Sequence, residues 1–347
     1  MSVLNIKRRH LGKLAAGALA MTLLAGQAMA QGSIVVANFP NNWEDAYRKV
    51  IKPMLAEQEI DLTIAPALTT LQIGNTLAAK KAGAPPPYDA LLLSPGDTAV
   101  AIDNDLIVKI DPSKLKNWDK LDPMFQTEYG PVVTVEFCGI GYNPDLVPAP
   151  SGYKVLFEDP AYKGLVSLGG LSNTEIMAFS EIARIFGDGP LDMEAVFELI
   201  KEKKDHLGPF VDTTTHQMTM FQQNEIGVFM ACTNNVAKLQ SLGVNAEFVA
   251  PETGMPAVPV VIHMTKGNAD PDAVYAYMDA AISAQAQSEL TAPPVELFPT
   301  NSDVELTDSI KRFVTKDKVG SFVYLDWVEV AKNRDEWTKA YDRAVKQ

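Results

Sequence analysis

The sequence predicts an α/β fold arranged as two hinged lobes, on three observations. Strand-like and helix-like segments alternate through most of the chain, the order that builds a mostly parallel sheet. The segment YDALLLS at 88–94 has the continuous apolar centre of a strand covered on both faces. Two further apolar runs, near 135 and 260, are placed to cross from one unit to the other and back, the geometry of lobes that close over a ligand.

The elements follow in order. SIVVANF (33–39) predicts the first strand, and Asn41 and Asn42 can cap the helix WEDAYRKVIKPMLAEQ after it. DLTIAPA (61–67) predicts the second strand, and LQIGNTLAAKKAG (71–83) the next helix. The rigid run 85–87, all proline, leads into 88–94. A second unit opens with the long strand VVTVEFCGIGYN (132–143), which ends in the turn formers Asn143, Pro144 and Asp145. GLVSLG (164–169) precedes a helix over 174–186, and Met193, Val196, Phe197 and Ile200 then recur at helical spacing. EIGVFMA (225–231) and AEFVAP (246–251) predict strands, and AVPVVIHM (257–264) a strand returning to the first unit. There is neither an internal repeat nor a low-complexity tract.

Residues 1–30 read as a secretory signal peptide: a basic head at 7–13, a short apolar run, then Ala28-Met29-Ala30, with cleavage expected before Gln31. Arg8 and Arg9 also resemble a twin-arginine export signal, so the general secretory route and the twin-arginine route both stay open. Either route places the mature chain outside the cytoplasm. Losing this segment removes Lys7, Arg8, Arg9 and Lys13 and no acid, which takes the net charge from −13 to −17. That balance argues against nucleic acid and anionic membranes as partners, since both require clustered Lys or Arg. Cys138 and Cys232 lie inside strand-like runs in a compartment that permits disulfides; buried free thiols are the favoured reading and pairing stays open.

The stretch VSLGGLSNTE (166–175) poses the functional question, because a serine on a strand-to-helix turn can be a nucleophile or a ligand site. A secreted serine hydrolase using Ser172 is the alternative function; of His206, His216 and His263, the last is the best candidate for its base. Thr174 stands where the nucleophile elbow requires a glycine, and His263 lies within an apolar strand. No H-E-x-x-H, C-x-x-C, Walker or G-x-G-x-x-G motif occurs, so no metal, cofactor or catalytic residue is expected.

Several segments, in order, resemble one family: PPYDALLLSPGDTAVAIDNDLIVKID (86–111), GIGYNPDLV (139–147), FEDPAYKGLVSL (157–168), NEIGVFMA (224–231), EFVAPETG (247–254), GNADPDAVYAYMDAAISAQAQSEL (267–290) and FPTNSDV (298–304). The chain resembles the periplasmic solute-binding proteins of ABC transporters, in the subgroup of spermidine/putrescine, thiamine and ferric-iron binders. That resemblance implies a type II periplasmic-binding-protein fold, with lobe 1 at 32–136 plus 262–300 and lobe 2 at 137–261 plus 301–347. It also implies a monomer that captures a solute by lobe closure and delivers it to an inner-membrane permease.

Polyamine binders of this family carry a D-x-x-E pair where this chain has Ser172-Asn173-Thr174-Glu175, so one of the two acids is missing. A diamine needs an anion at each end, which makes putrescine and spermidine poor fits. No Tyr-Tyr pair is present to hold ferric iron. Thiamine stays open through Phe39, Trp43 and Phe137, which could stack on a ring, but a small polar solute, amine-like or amino-acid-like, fits better. The candidate cleft residues are Phe39, Asn42, Trp43, Ser94, Asp97 and Phe137 on one side, and Ser172, Asn173, Thr174, Glu175, Thr233, Asn234 and Met255 on the other. Helix capping by Asn42 and Ser94, dipole compensation by Asp97 and packing by Trp43 and Met255 are the plainer alternatives. Glu175 is expected to hold a ligand amine. On that expectation, Glu175→Gln loses affinity without changing the unfolding temperature.

Overall fold

In the computed structural model the described residues are 32–40, 42–251, 255–293, 295–314, 322–323 and 325–346, so the expected signal peptide and Asn41 lie outside them. The strands are β1 (Gly32–Asn38), β2 (Ile60–Pro66), β3 (Ala90–Leu93), β4 (Gln126–Thr127), β5 (Gly130–Tyr142), β6 (Val166–Ser167), β7 (Val228–Cys232), β8 (Glu247–Val249), β9 (Met255–Met264) and β10 (Phe322–Val323). The helices are α1 (Asn42–Ala56), α2 (Thr69–Lys81), α3 (Pro95–Asp103), α4 (Val155–Glu158), α5 (Asn173–Phe186), α6 (Met193–Glu202), α7 (Thr214–Gln222), α8 (Thr233–Ser241), α9 (Pro271–Ala281), α10 (Ala284–Thr291), α11 (Asp308–Lys311) and α12 (Trp327–Lys346).

The strands form a continuous path in the order β2-β1-β3-β9-β5-β7-β6. Pairing is parallel where βα units stack, at β1 with β2, β1 with β3 and β6 with β7. It is antiparallel around β5 and β9, so the mostly parallel sheet expected from the βα alternation exists only towards the two ends. The reason is topological: β5 and β9 run between the lobes in opposite directions and pair with each other along Val132–Phe137 and Ala257–Val261.

Two apolar cores lie on either side of this crossing. Ile34, Val36, Leu62, Leu92, Ile262 and Met278 belong to the first, and Ile140, Phe179, Val228, Met230 and Tyr341 to the second. Along β5 the core changes between Phe137 and Cys138. Leu306, Ile310 and Val314 pack into the first core, and α12 packs into the second through Trp327, Val330, Tyr341 and Ala344. Tyr341 anchors α12 there, donating its hydroxyl to the Gly169 carbonyl at 2.8 Å against the Phe179 and Phe210 rings. From the other end of α12, the Trp327 ring reaches Gly96 of α3, so this helix touches both lobes.

Gly130 opens β5 at φ +151, and a Cβ there would collide with the Ile262 carbonyl oxygen of the neighbouring crossing strand. Gly130→Ala is therefore expected to cost roughly 1–3 kcal/mol, read as a lowered unfolding midpoint in urea.

Cys138 and Cys232 form a disulfide, which corrects the expectation of free thiols. The two residues sit directly opposite each other in the antiparallel pair β5 and β7. Opposed residues of such a pair project to the same face, so the thiols meet without any rearrangement of the backbone.

Candidate binding cleft

Two cavities open between the lobes. The larger, of about 390 Å³, is walled by Trp43 of α1, Thr134 to Phe137 of β5, Thr233 to Asn235 and Lys238 of α8, and the 295–298 and 309–314 segments. The smaller, of about 210 Å³, is walled by Phe39, Leu68, Thr69 and Ser94 from the first lobe and by Asn173, Thr174, Met177 and Cys232 from the second, with Val258 and Val260 of β9. Glu136, on the crossing strand, lines both.

Of the residues expected here, Trp43, Phe137, Thr233 and Asn234 meet in the larger cavity. Phe39, Ser94, Asn173 and Thr174 meet in the smaller. Trp43 both packs and lines the cleft, stacked on Tyr47 and edge-on to Phe39. Phe137 is held edge-on by Phe298. Ser94 precedes α3, and its side chain makes no cap bond to the helix backbone; its hydroxyl donates to Asp97 Oδ2 at 2.8 Å. Asp97 therefore orients Ser94 and is not itself in either cavity wall.

The lobes touch across the smaller cavity, where Asn173 Nδ2 donates to Ser94 Oγ at 3.4 Å. The Arg334 guanidinium of α12 fixes Asn173 from behind, donating to its Oδ1 at 2.9 Å and to the Leu171 carbonyl at 3.4 Å. Asn42 begins α1, and its side chain lies outside the described part. Met255 is buried in the first core and lines neither cavity.

The Ser172-Glu175 pair has an internal role. Ser172 caps α5, accepting from the Glu175 N–H and donating to Glu175 Oε2 at 2.6 Å, while Oε1 accepts from the Gly169 N–H at 2.9 Å. Glu175 is fully buried and absent from both cavity walls, a placement at odds with the expected contact to a ligand amine. Burial raises its pKa to about 7, with the Ser172 and Gly169 hydrogen bonds opposing the rise. A folded-state pKa above the unfolded value contributes stability that is complete below about pH 4.5 and is lost as pH rises through about 7. Glu175→Gln should accordingly gain in unfolding temperature relative to the parent between about pH 5 and about pH 8, with solute affinity nearly unchanged. Lost affinity at a constant unfolding temperature would return Glu175 to the ligand.

His263 does not serve Ser172. It is buried in β9, its Nδ1 donates to the Tyr129 carbonyl at 2.9 Å, and its Nε2 faces Thr98 Oγ1 at 2.8 Å. Burial lowers its pKa to about 4, which keeps the ring neutral at ordinary pH. Both ring nitrogens are thus engaged within the first lobe.

Sequence reasoning missed Glu136, along with Lys238 and Thr69. Desolvation holds the Glu136 carboxyl above the ordinary carboxylate range. Among the described residues its carboxylate accepts one long hydrogen bond, 3.5 Å from Asn234 Nδ2, and no cation pairs with it. The signal was in the sequence: Glu136 is the one acid in the apolar run 130–142. Lys238 also lines the larger cavity and enters no ion pair among the described residues, so this chamber presents both signs of charge beside aromatic rings.

Comparison with known proteins gives this cleft its context. No curated protein matches the sequence. An extracellular solute-binding protein from Bordetella parapertussis superposes with a TM-score of 0.79 at 18% identity, covering 91% of this chain and 99% of the other. A structure described as a GABA receptor gives 0.75 at 20% identity, with 91% and 98% covered. A periplasmic binding protein from A. tumefaciens B6 in complex with glucopine gives 0.70 at 16%, with 90% and 99% covered. These likenesses establish the two-lobed periplasmic-binding-protein fold. The family model described as bacterial extracellular solute-binding protein matches residues 49–317, and the chain belongs to that family, the solute-binding components of ABC transporters.

Proposed function

We propose that the protein captures a small organic amine, with zwitterionic amino-acid-like solutes favoured, between its lobes and hands it to an inner-membrane permease. The observation that carries this reading is Glu136, a desolvated carboxylate in both cavity walls with no cationic partner among the described residues. A half-buried charge without a partner carries part of its desolvation cost, and an ammonium group brought by the solute would relieve it. Lys238 can face a carboxylate on the same solute, and Trp43, Phe137, Phe298 and Phe313 give an apolar body somewhere to lie. GABA, named for one relative, carries an ammonium and a carboxylate, in keeping with this pairing.

Binding would bridge the lobes. The solute would meet the crossing strand through Glu136 and the second lobe through Thr233 and Asn234, while the Asn173–Ser94 contact closes the other side. A thermal-shift screen of residues 31–347 against amines, amino acids, polyamines, thiamine, sugars, phosphonates and organic acids tests the reading. A ligand at 100 times its dissociation constant adds about 2.7 kcal/mol, a shift of a few degrees. Shifts with organic amines are expected, whereas shifts confined to sugars or anions would contradict the assignment.

A further inference from the structure

A polar chain crosses between the lobes beside the smaller chamber, with opposite charges at its two ends. Arg334 of α12 donates to Asn173 Oδ1 at 2.9 Å, Asn173 Nδ2 donates to Ser94 Oγ at 3.4 Å, and the Ser94 hydroxyl donates to Asp97 Oδ2 at 2.8 Å. A guanidinium only donates and a carboxylate only accepts, so the amide and the hydroxyl between them can satisfy both ends in one sense alone. Bonds that all donate in the same direction polarise and strengthen one another. The two end groups are half-buried, line neither cavity and enter no ion pair among the described residues. Helix electrostatics do not explain Arg334, because a cation beside the first turn of α5 faces the positive end of that helix. Its bonds to Asn173 and to the Leu171 carbonyl are what hold it there. The longest link, Asn173 to Ser94, is the one that joins the lobes; the two shorter links lie within one lobe each and survive when the lobes part.

We infer that Arg334 and Asp97 are positioning residues for lobe closure: without touching solute, they hold Asn173 and Ser94 in the matched orientations that let the lobes meet, and so set the fraction of closed molecules before any solute binds. The inference rests on the capture by closure read above and does not depend on which solute is captured. Apparent affinity scales with that closed fraction, so residues outside the cavity walls tune binding of every solute alike.

The test is the distance distribution between spin labels on Thr70→Cys of α2 and Thr215→Cys of α7, exposed positions on opposite lobes, measured by double electron–electron resonance on unliganded residues 31–347. Arg334→Ala and Asp97→Ala are each expected to lower the ratio of closed to open molecules about fivefold, the net weight of one hydrogen bond. Because both act through one chain, the double variant should fall no further than either single one. Arg334→Lys keeps a donor and Asp97→Asn keeps an acceptor, so each should recover part of the loss. Losses that multiply in the double variant would mark two separate structural roles and overturn the inference. Distributions unchanged in both alanine variants, or a parent with no closed molecules, would overturn it as well. No solute enters these measurements, so the positioning role can fail while the thermal screen still finds an amine, and the amine reading can fail while the lobes still respond to Arg334 and Asp97.

Discussion

Glu136→Gln is expected to lower solute affinity at least about 30-fold, because removing one partner of a desolvated, hydrogen-bonded charge pair commonly costs 2 kcal/mol or more. The substitution keeps the shape and the acceptor for Asn234 Nδ2 but removes the charge. The unliganded variant should unfold at the same temperature as the parent or slightly higher, since the native carboxylate is desolvated and lacks a cationic partner among the described residues. A merely structural acid would behave differently, losing stability along with affinity. The pH dependence has a definite sign. Burial raises the Glu136 pKa, and only the ionised form attracts an ammonium, so affinity should rise with pH through that raised value and then level off. In Glu136→Gln the same titration should be flat over this range. Calorimetry with the strongest amine from the thermal screen, run on both proteins across the acidic to neutral range, reads all of these effects.

The second large effect is on stability. Replacing Cys138 and Cys232 by alanine opens a loop with a sequence separation of 94, and the chain-entropy relation for a loop of that size gives a loss of about 4.7 kcal/mol. The unfolding temperature should fall by several degrees, and reductant should lower that of the parent by a similar amount while leaving the double variant unmoved. Cys232 also walls the smaller chamber and lies 3.4 Å from Thr174 Oγ1, just before Thr233 and Asn234 in the larger one. Opening the bond should therefore loosen the second lobe's face of the cleft and weaken binding too. An unchanged unfolding temperature in the double alanine variant would contradict the structural role assigned to the pair.

The fold was largely legible because its signals are local. Continuous apolar runs marked β3 and β7, and helical spacing marked α6 through Met193, Val196, Phe197 and Ile200. The crossing strands were legible as well, since a run as long as VVTVEFCGIGYN cannot be buried within one small unit and still end at a turn. What failed depended on register. Whether Cys138 meets Cys232 is decided by the alignment of two strands about 90 residues apart, which neither strand encodes alone.

The site was half legible for a related reason. Strand ends and helix starts marked Phe39, Ser94, Thr174 and Thr233, all of which reach the cleft. Glu175 occupies the first turn of α5, where acids are favoured whether or not they meet a ligand; here its carboxylate accepts from the capping Ser172 and from Gly169. Glu136 is hard to single out from sequence because a strand bearing so many apolar neighbours reads as core. A charged side chain in such a strand either has a partner from elsewhere in the fold or faces a cavity, and Glu136 faces two.

The most direct test of the central claim is a crystal structure of residues 31–347 with the amine that stabilises the protein most. The account predicts a solute between the lobes with its ammonium nitrogen about 2.8 Å from a Glu136 carboxylate oxygen. A solute held without contact to Glu136, its nitrogen paired with another acid, would contradict it.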